Sequence, residues 1–249
     1  MKGISRERLS RGLFVLPTLF TVGNLFCGYL SIWSSIRGTF ETSALLIIVA
    51  AVLDALDGRI ARLTHSTSKF GEEYDSLADL VSFGVAPAVL AYSWGLADFA
   101  NLGWMASFLF VVCGSMRLAR FNIQTRIVDK RYFVGLPIPA AAAVPAALVL
   151  ATPERLVDRV FMTGLLVGTF VLSYLMISTI RYRSFKDLDL KRRRPAWILP
   201  AIALVFAVIA YRPVLSLLTF AVVFAASGPV TRLVGLFRRK PAAPPAPAG

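Results

Sequence analysis

The chain has 249 residues, of which 57% are hydrophobic and only 16% charged. A mean hydropathy of +0.68 excludes an ordinary soluble domain and points to a polytopic membrane protein. The formal net charge of +13 does not mark a nucleic-acid binder, because the basic residues are spread over short loops between apolar stretches, a distribution suited to anionic lipid head groups.

Eight apolar stretches read as membrane-spanning helices, which predicts an all-α polytopic fold with both termini on one side of the bilayer. The first, 13–36, follows a basic segment, 1–12, that carries Lys2, Arg6, Arg8 and Arg11. It is too long for a signal peptide and lacks a small-residue cleavage site, so it is expected to stay in the membrane. Pro17 and Thr18 near its start suit a helix start. The second and third spans, 42–63 and 73–94, are interrupted near their facing ends by acidic residues. His65 lies in the loop between them and, with no Cys/His partners, makes no zinc site. The fourth span, 104–122, ends in Arg117, Arg120 and Asn122. The fifth, 135–152, is rich in Pro and Ala, which permits close helix packing. The sixth, 160–180, is followed by a basic loop at 183–194. The seventh and eighth, 195–211 and 213–234, meet at Arg212-Pro213. The Pro/Ala tail, 237–249, cannot bury apolar surface and is expected to be disordered. Cys27 and Cys113 both fall inside spans, so free buried thiols are expected rather than a disulfide.

Charge sets the expected orientation. With eight spans, every Lys and Arg except Arg37, Arg155, Arg159 and Arg212 falls on one side. The positive-inside rule assigns that side to the cytoplasm. The acidic residues lie on it too.

Those acids are the most informative feature of the chain. Asp54, Asp57, Asp75 and Asp79 fall within a short interval of a very apolar sequence. A carboxylate in a membrane helix costs about 2.5–3.5 kcal/mol even on the insertion scale. Clustered carboxylates therefore need compensation, and hard divalent cations such as Mg²⁺ or Mn²⁺ supply it. On a helix, Asp54, Asp57, Gly58, Ala61 and Arg62 occupy i, i+3, i+4, i+7 and i+8, which is one face. Gly71, Asp75 and Asp79 occupy i, i+4 and i+8, again one face. Two such helices, face to face, would converge the four carboxylates. Gly58 and Ala61 remove side-chain bulk where a helix or ligand comes close.

The pattern D-x-x-D-G-x-x-A-R-x(8)-G-x-x-x-D-x-x-x-D resembles the signature of the CDP-alcohol phosphotransferases, matched at Asp54, Asp57, Gly58, Ala61, Arg62, Gly71, Asp75 and Asp79. The resemblance implies a reaction in which an alcohol displaces CMP from a CDP-linked lipid, with two divalent metal ions shared by Asp54, Asp57, Asp75 and Asp79. It also implies that Asp79 is the general base. It puts Gly58, Ala61, Arg62, Ser68 and Gly71 around the CDP-diacylglycerol, with Thr18 and Thr21 from the first span. Thr18 stands where the family has Asn. A six-helix catalytic core over 13–182 is implied, with two additional helices at 195–236, as is a homodimer in the cytoplasmic membrane with its active site facing the cytoplasm.

Longer stretches resemble the phosphatidylserine synthase branch. They are Thr21-Val-Gly-Asn-Leu-Phe-Cys-Gly28, Asp75 to Pro87, Arg117-Leu-Ala-Arg120-Phe-Asn122 and Phe133-Val-Gly-Leu-Pro137-Ile-Pro139. L-serine is thus the expected acceptor, with Arg117, Arg120 and Asn122 as candidates for the serine pocket or the diphosphate. Ser82 and Phe83, just after Asp79, are placed to shape the pocket or simply to pack. Two alternatives stay open. One is a different acceptor, such as glycerol phosphate, inositol or its phosphate, or choline, with Lys130 and Arg131 available for a phosphate. The other is a cation transporter using intramembrane carboxylates. The second fits poorly, because all four acids belong to one motif near one end of the spans.

Overall fold

The computed structural model describes residues 6–63, 68–124, 132–183 and 211–237. These form eight α-helices: α1 (Arg6–Ile36), α2 (Phe40–Leu63), α3 (Lys69–Asp79), α4 (Ala86–Ala91), α5 (Asn101–Gln124), α6 (Ile138–Ala151), α7 (Arg159–Ile177) and α8 (Pro213–Phe237). Two three-residue strands, β1 (Tyr132–Val134) and β2 (Arg181–Arg183), pair antiparallel with Phe133 opposite Tyr182. Apart from this ribbon the architecture is helical, as expected. Among the described residues, five helical segments are long and apolar enough to cross a membrane: Thr18–Ile36, Lys69–Phe99, Asn101–Ile123, Arg159–Ile177 and Pro213–Arg232.

Two of the expected spans differ from that standard for visible reasons. The α2 helix has 24 residues but carries Glu41, Asp54, Asp57 and Arg59. The α6 helix is apolar but has only 14 residues, about 21 Å at 1.5 Å per residue, against a hydrocarbon core of about 30 Å. The seventh expected span, 195–211, the loop at 183–194 and the tail fall almost entirely outside the described residues.

Pro17 does not start a helix. The α1 helix begins at Arg6 and runs through it, so the helix-start reading of Pro17 and Thr18 is overturned. Around α1 and α2 the chain turns back at Arg37–Thr39, and the two helices make the most extensive helix–helix contact in the fold. Small residues allow it: Ala44 and Ala50 of α2 are fully buried, as expected where membrane helices approach closely. At the turn end, Ser31 and Ser35 of α1 both hydrogen-bond the Ser43 hydroxyl, at 2.8 and 2.7 Å. That mutual satisfaction makes three buried hydroxyls tolerable in an apolar setting.

The third span is one continuous segment, Lys69–Phe99, but its winding changes along its length. Directly after Asp79 comes a π-helical stretch, Leu80–Val85, and a second follows at Tyr92–Leu96. Pro87 lies between them and has no N–H to give the ladder, so the wider turns re-register the helix around it. Pro87 itself is buried.

The Pro/Ala-rich α6 packs against both α2 and α8, with Ala141, Ala142, Ala146 and Ala147 fully buried. The ribbon anchors α8 to the core. Tyr182 is buried, its hydroxyl donates to the Ala225 carbonyl at 3.0 Å, and its ring lies against Phe224. Burial pushes that hydroxyl up to about 12, so it remains a donor. At the ribbon's entry to α6, Gly135 has φ +83°, and a Cβ there would come within 3.2 Å of the Ser178 carbonyl oxygen. Only glycine suits that position. Cys27 and Cys113 are free thiols, as expected.

Candidate active site

The motif acids sit at the far end of the α1–α2 pair from the serine cluster. Asp54 and Asp57 project from the last turns of α2, and Asp75 and Asp79 from α3. Three of the four converge: carboxylate oxygens of Asp54, Asp57 and Asp75 lie within 4.8 Å of one another. Asp57 is buried, and Asp54 and Asp75 are half-buried. Asp79 lies one turn further along α3, near enough to feel the charges of Asp54, Asp75 and Asp57. It is thus beside the trio rather than part of the tight group.

The α1 helix supplies a neutral donor to two of these acids. The Thr21 hydroxyl, buried, donates to Asp57 Oδ2 at 3.0 Å. The Asn24 side-chain amide donates to Asp79 Oδ1 at 3.1 Å. Asn24 is fully buried and was not among the residues singled out from sequence. A signal for it existed: Thr21, Asn24, Gly28, Ser31 and Ser35 form a polar or small stripe on one face of an otherwise apolar helix.

From α5, Arg117 is buried and acts electrostatically on Asp79 and Asp54. Its guanidinium also lies 5.2 Å from the centre of the Phe121 ring. Arg120 and Asn122 are engaged elsewhere. Arg120 donates to the Ile177 carbonyl at the end of α7, at 3.4 Å. Asn122 Nδ2 donates to Ser76 Oγ of α3 at 3.0 Å and reaches Glu73 at 3.5 Å. These two residues tie α5 to its neighbours at the end of the helices that carries the aspartates.

Ser68 is the N-cap of α3, accepting from the Gly71 N–H at 3.0 Å. A Cβ on Gly71 would come to 3.1 Å from that hydroxyl, so glycine here favours a tight cap. Gly58 is half-buried on α2 and Thr18 is exposed on α1. Ala61 and Arg62 continue the α2 helix, but their side chains, like the whole of His65, lie outside the described set. Ser82 and Phe83 are both fully buried. The Ser82 hydroxyl donates to the Asn24 carbonyl at 2.9 Å.

The donor set suits hard divalent cations. It is all oxygen, it gathers three carboxylates in contact range, and Asp75 Oδ1 is buried without a hydrogen-bond partner among the described residues. A buried acceptor of that kind is costly unless something fills it. By contrast, a cavity of about 450 Å³ lined by Trp94, Phe110, Leu148, Phe161 and Leu165 is apolar, and none of the four aspartates lines it.

Comparison with known proteins agrees with this geometry. The CDP-alcohol phosphatidyltransferase family profile matches residues 14–177, which runs from within α1 to the end of α7 and takes in all four aspartates. A Helicobacter pylori protein named CDP-diacylglycerol–serine O-phosphatidyltransferase is 40% identical over 199 residues, covering 78% of this chain and 82% of that protein. A Bacillus subtilis protein of the same name is 37% identical over 171 residues, 69% of this chain and 91% of its own length. An archaetidylserine synthase from Methanothermobacter thermautotrophicus is 39% identical over 169 residues, 67% of this chain and 69% of that protein. With the profile spanning most of the chain and three of the four acids in one cluster beside the fourth, the chain belongs to the CDP-alcohol phosphatidyltransferase family.

Proposed function

We propose that this chain transfers the phosphatidyl group of CDP-diacylglycerol to the hydroxyl of L-serine, giving phosphatidylserine and CMP. The observation that carries this reading is the convergence of Asp54, Asp57 and Asp75 beside Asp79. The names of the relatives, which specify serine or a serine lipid, favour that acceptor.

In this reading Asp54, Asp57, Asp75 and Asp79 hold two divalent cations, Mg²⁺ or Mn²⁺. When bound, these offset the charge of the diphosphate and of the departing CMP. Thr21 orients Asp57 through its hydroxyl. Asp79 takes the proton of the serine hydroxyl. The freed oxygen attacks the phosphatidyl phosphorus, the bond from that phosphorus to the CMP oxygen breaks, and CMP leaves with the bonding pair. Arg117, buried among the acids, offers its guanidinium to the serine carboxylate or the diphosphate. Arg120 and Asn122 frame that pocket by holding α5 against α7 and α3. Gly58, Ala61, Arg62, Ser68, Gly71, Thr18 and Thr21 surround the CDP moiety, with Arg62 as its phosphate fork.

The reading extends to the whole molecule. The core over 13–182 does the chemistry, two further helices at 195–236 flank it, and the protein is a homodimer in the cytoplasmic membrane. Eight spans put both termini and the aspartates in the cytoplasm, in line with the bias of Lys and Arg. Single cysteines introduced as Ser66→Cys and Asp98→Cys are then expected to be labelled from opposite faces of the membrane by an impermeant maleimide. Labelling from the same face contradicts this topology.

The acceptor is tested with purified protein, CDP-diacylglycerol, Mn²⁺ or Mg²⁺, and labelled serine in parallel with labelled glycerol phosphate, inositol phosphate and choline. Serine is expected to be the one that enters lipid. Preferential incorporation of another alcohol keeps the reaction type and overturns serine.

A further inference from the structure

We propose that Asn24 is a positioning residue, fixing the Asp79 carboxylate so that one chosen oxygen meets the acceptor hydroxyl. This rests on the transfer reaction proposed above and adds a residue to it. Asn24 is fully buried in α1, and its Nδ2 donates to Asp79 Oδ1 at 3.1 Å across a sequence separation of 55. An ionised carboxylate only accepts, so the amide's orientation follows from chemistry. Among the described residues, Asn24 Oδ1 is left buried with no hydrogen-bond partner. A leucine, with the same branching and no polar atoms, would avoid that cost. A polar group kept in such a place inside a membrane helix points to a use for the bond it does make.

The seat of Asn24 is built by two further residues. Ser82 Oγ donates to the backbone carbonyl of Asn24 at 2.9 Å. A Cβ at Gly28 would come within 2.8 Å of Ser82 Cα, so the glycine lets α1 approach the π-helical stretch that begins directly after Asp79. The segment carrying Asp79 is therefore pinned to α1 twice, through the Asp79 carboxylate and through the Ser82 hydroxyl. The α1 helix thus orients two acids separately, Asp57 by Thr21 and Asp79 by Asn24. With Oδ1 of Asp79 held by the amide, Oδ2 is the oxygen presented to the incoming hydroxyl.

Asn24→Leu keeps the branching and the number of side-chain heavy atoms, with somewhat more bulk, and removes the donor, whereas Asn24→Ala removes both the bulk and the donor. Both are expected to lower kcat about 10- to 100-fold, the scale of a misplaced catalytic group, with KM for serine and for CDP-diacylglycerol within about twofold of wild type. Binding of CDP-diacylglycerol to the purified variants is expected to be unchanged. In an Asp79→Glu background, where the carboxylate is already displaced by a methylene, Asn24→Leu is expected to cost less than about threefold, because the interaction it removes is already lost. Wild-type-like turnover of Asn24→Leu overturns the assignment, as does an equal loss in both backgrounds. Loss of CDP-diacylglycerol binding in Asn24→Leu also overturns it, since that marks a purely structural role. Wild-type turnover with serine tests the reaction by itself, so a protein that turns over normally and is indifferent to Asn24 contradicts this assignment alone.

Discussion

Asp79→Asn is expected to lower CMP release at least about 100-fold while leaving CDP-diacylglycerol binding near normal. Asparagine keeps the shape of the side chain and one oxygen, so the Asn24 amide still has an acceptor. What disappears is the capacity to take a proton. General-base contributions run at about 10²–10⁴-fold, and a weakened ligand to a cation adds to the loss. The placement of Asp79 supports giving it this separate role. It stands beside the trio of Asp54, Asp57 and Asp75, with its own donor from α1. The check is equilibrium binding of the CDP-lipid set beside turnover for the same preparation. Retention of more than about a tenth of wild-type turnover is too much for a lost general base and removes Asp79 from that role.

Stripping divalent cations is expected to abolish CMP release, and adding back Mg²⁺ or Mn²⁺ to restore it. Three carboxylates within 4.8 Å of one another repel when all are ionised, and burial strengthens the repulsion. A buried Asp75 Oδ1 without a partner among the described residues makes the arrangement costly until a cation supplies the missing contact. Asp75→Asn removes a charge from the centre of that group. Its affinity for Mn²⁺, followed by electron paramagnetic resonance, is expected to fall by at least about 100-fold, since outer-shell changes alone reach 10–100-fold. Full activity in excess EDTA contradicts the metal assignment, and so does unchanged Mn²⁺ affinity in Asp75→Asn.

Much of the site was legible because its information is local. The i, i+3, i+4 spacing around Asp54 and the i, i+4, i+8 spacing from Gly71 to Asp79 dictate two helical faces, and the cost of bare carboxylates in an apolar chain dictates that the faces meet. The same logic read the close packing of α6 from its alanines. What sequence did not reveal depends on contacts between distant segments. Asn24 is a lone amide in an apolar helix, and its meaning comes from an aspartate 55 positions away. The β1–β2 ribbon is three residues per strand, too short for a period of two to register. Pro17 looked like a helix start because proline favours first turns, yet α1 begins earlier and carries it internally. The resemblance places Ser68 near the nucleotide, and its capping of α3 is a further role that the motif does not state. Arg120 and Asn122 share a motif with Arg117, yet only Arg117 turns to the acids, because their positions on α5 face α7 and α3 instead.

The most direct measurement is CMP release by the purified wild-type protein from CDP-diacylglycerol with Mn²⁺, in the presence and absence of serine. Release is expected to require serine and to match newly formed phosphatidylserine one to one, because in the proposed reaction the acceptor hydroxyl that gives its proton to Asp79 becomes the new ester. CMP release at the same rate without serine, with phosphatidic acid as the lipid product, would show that water is the acceptor and contradict the transferase account.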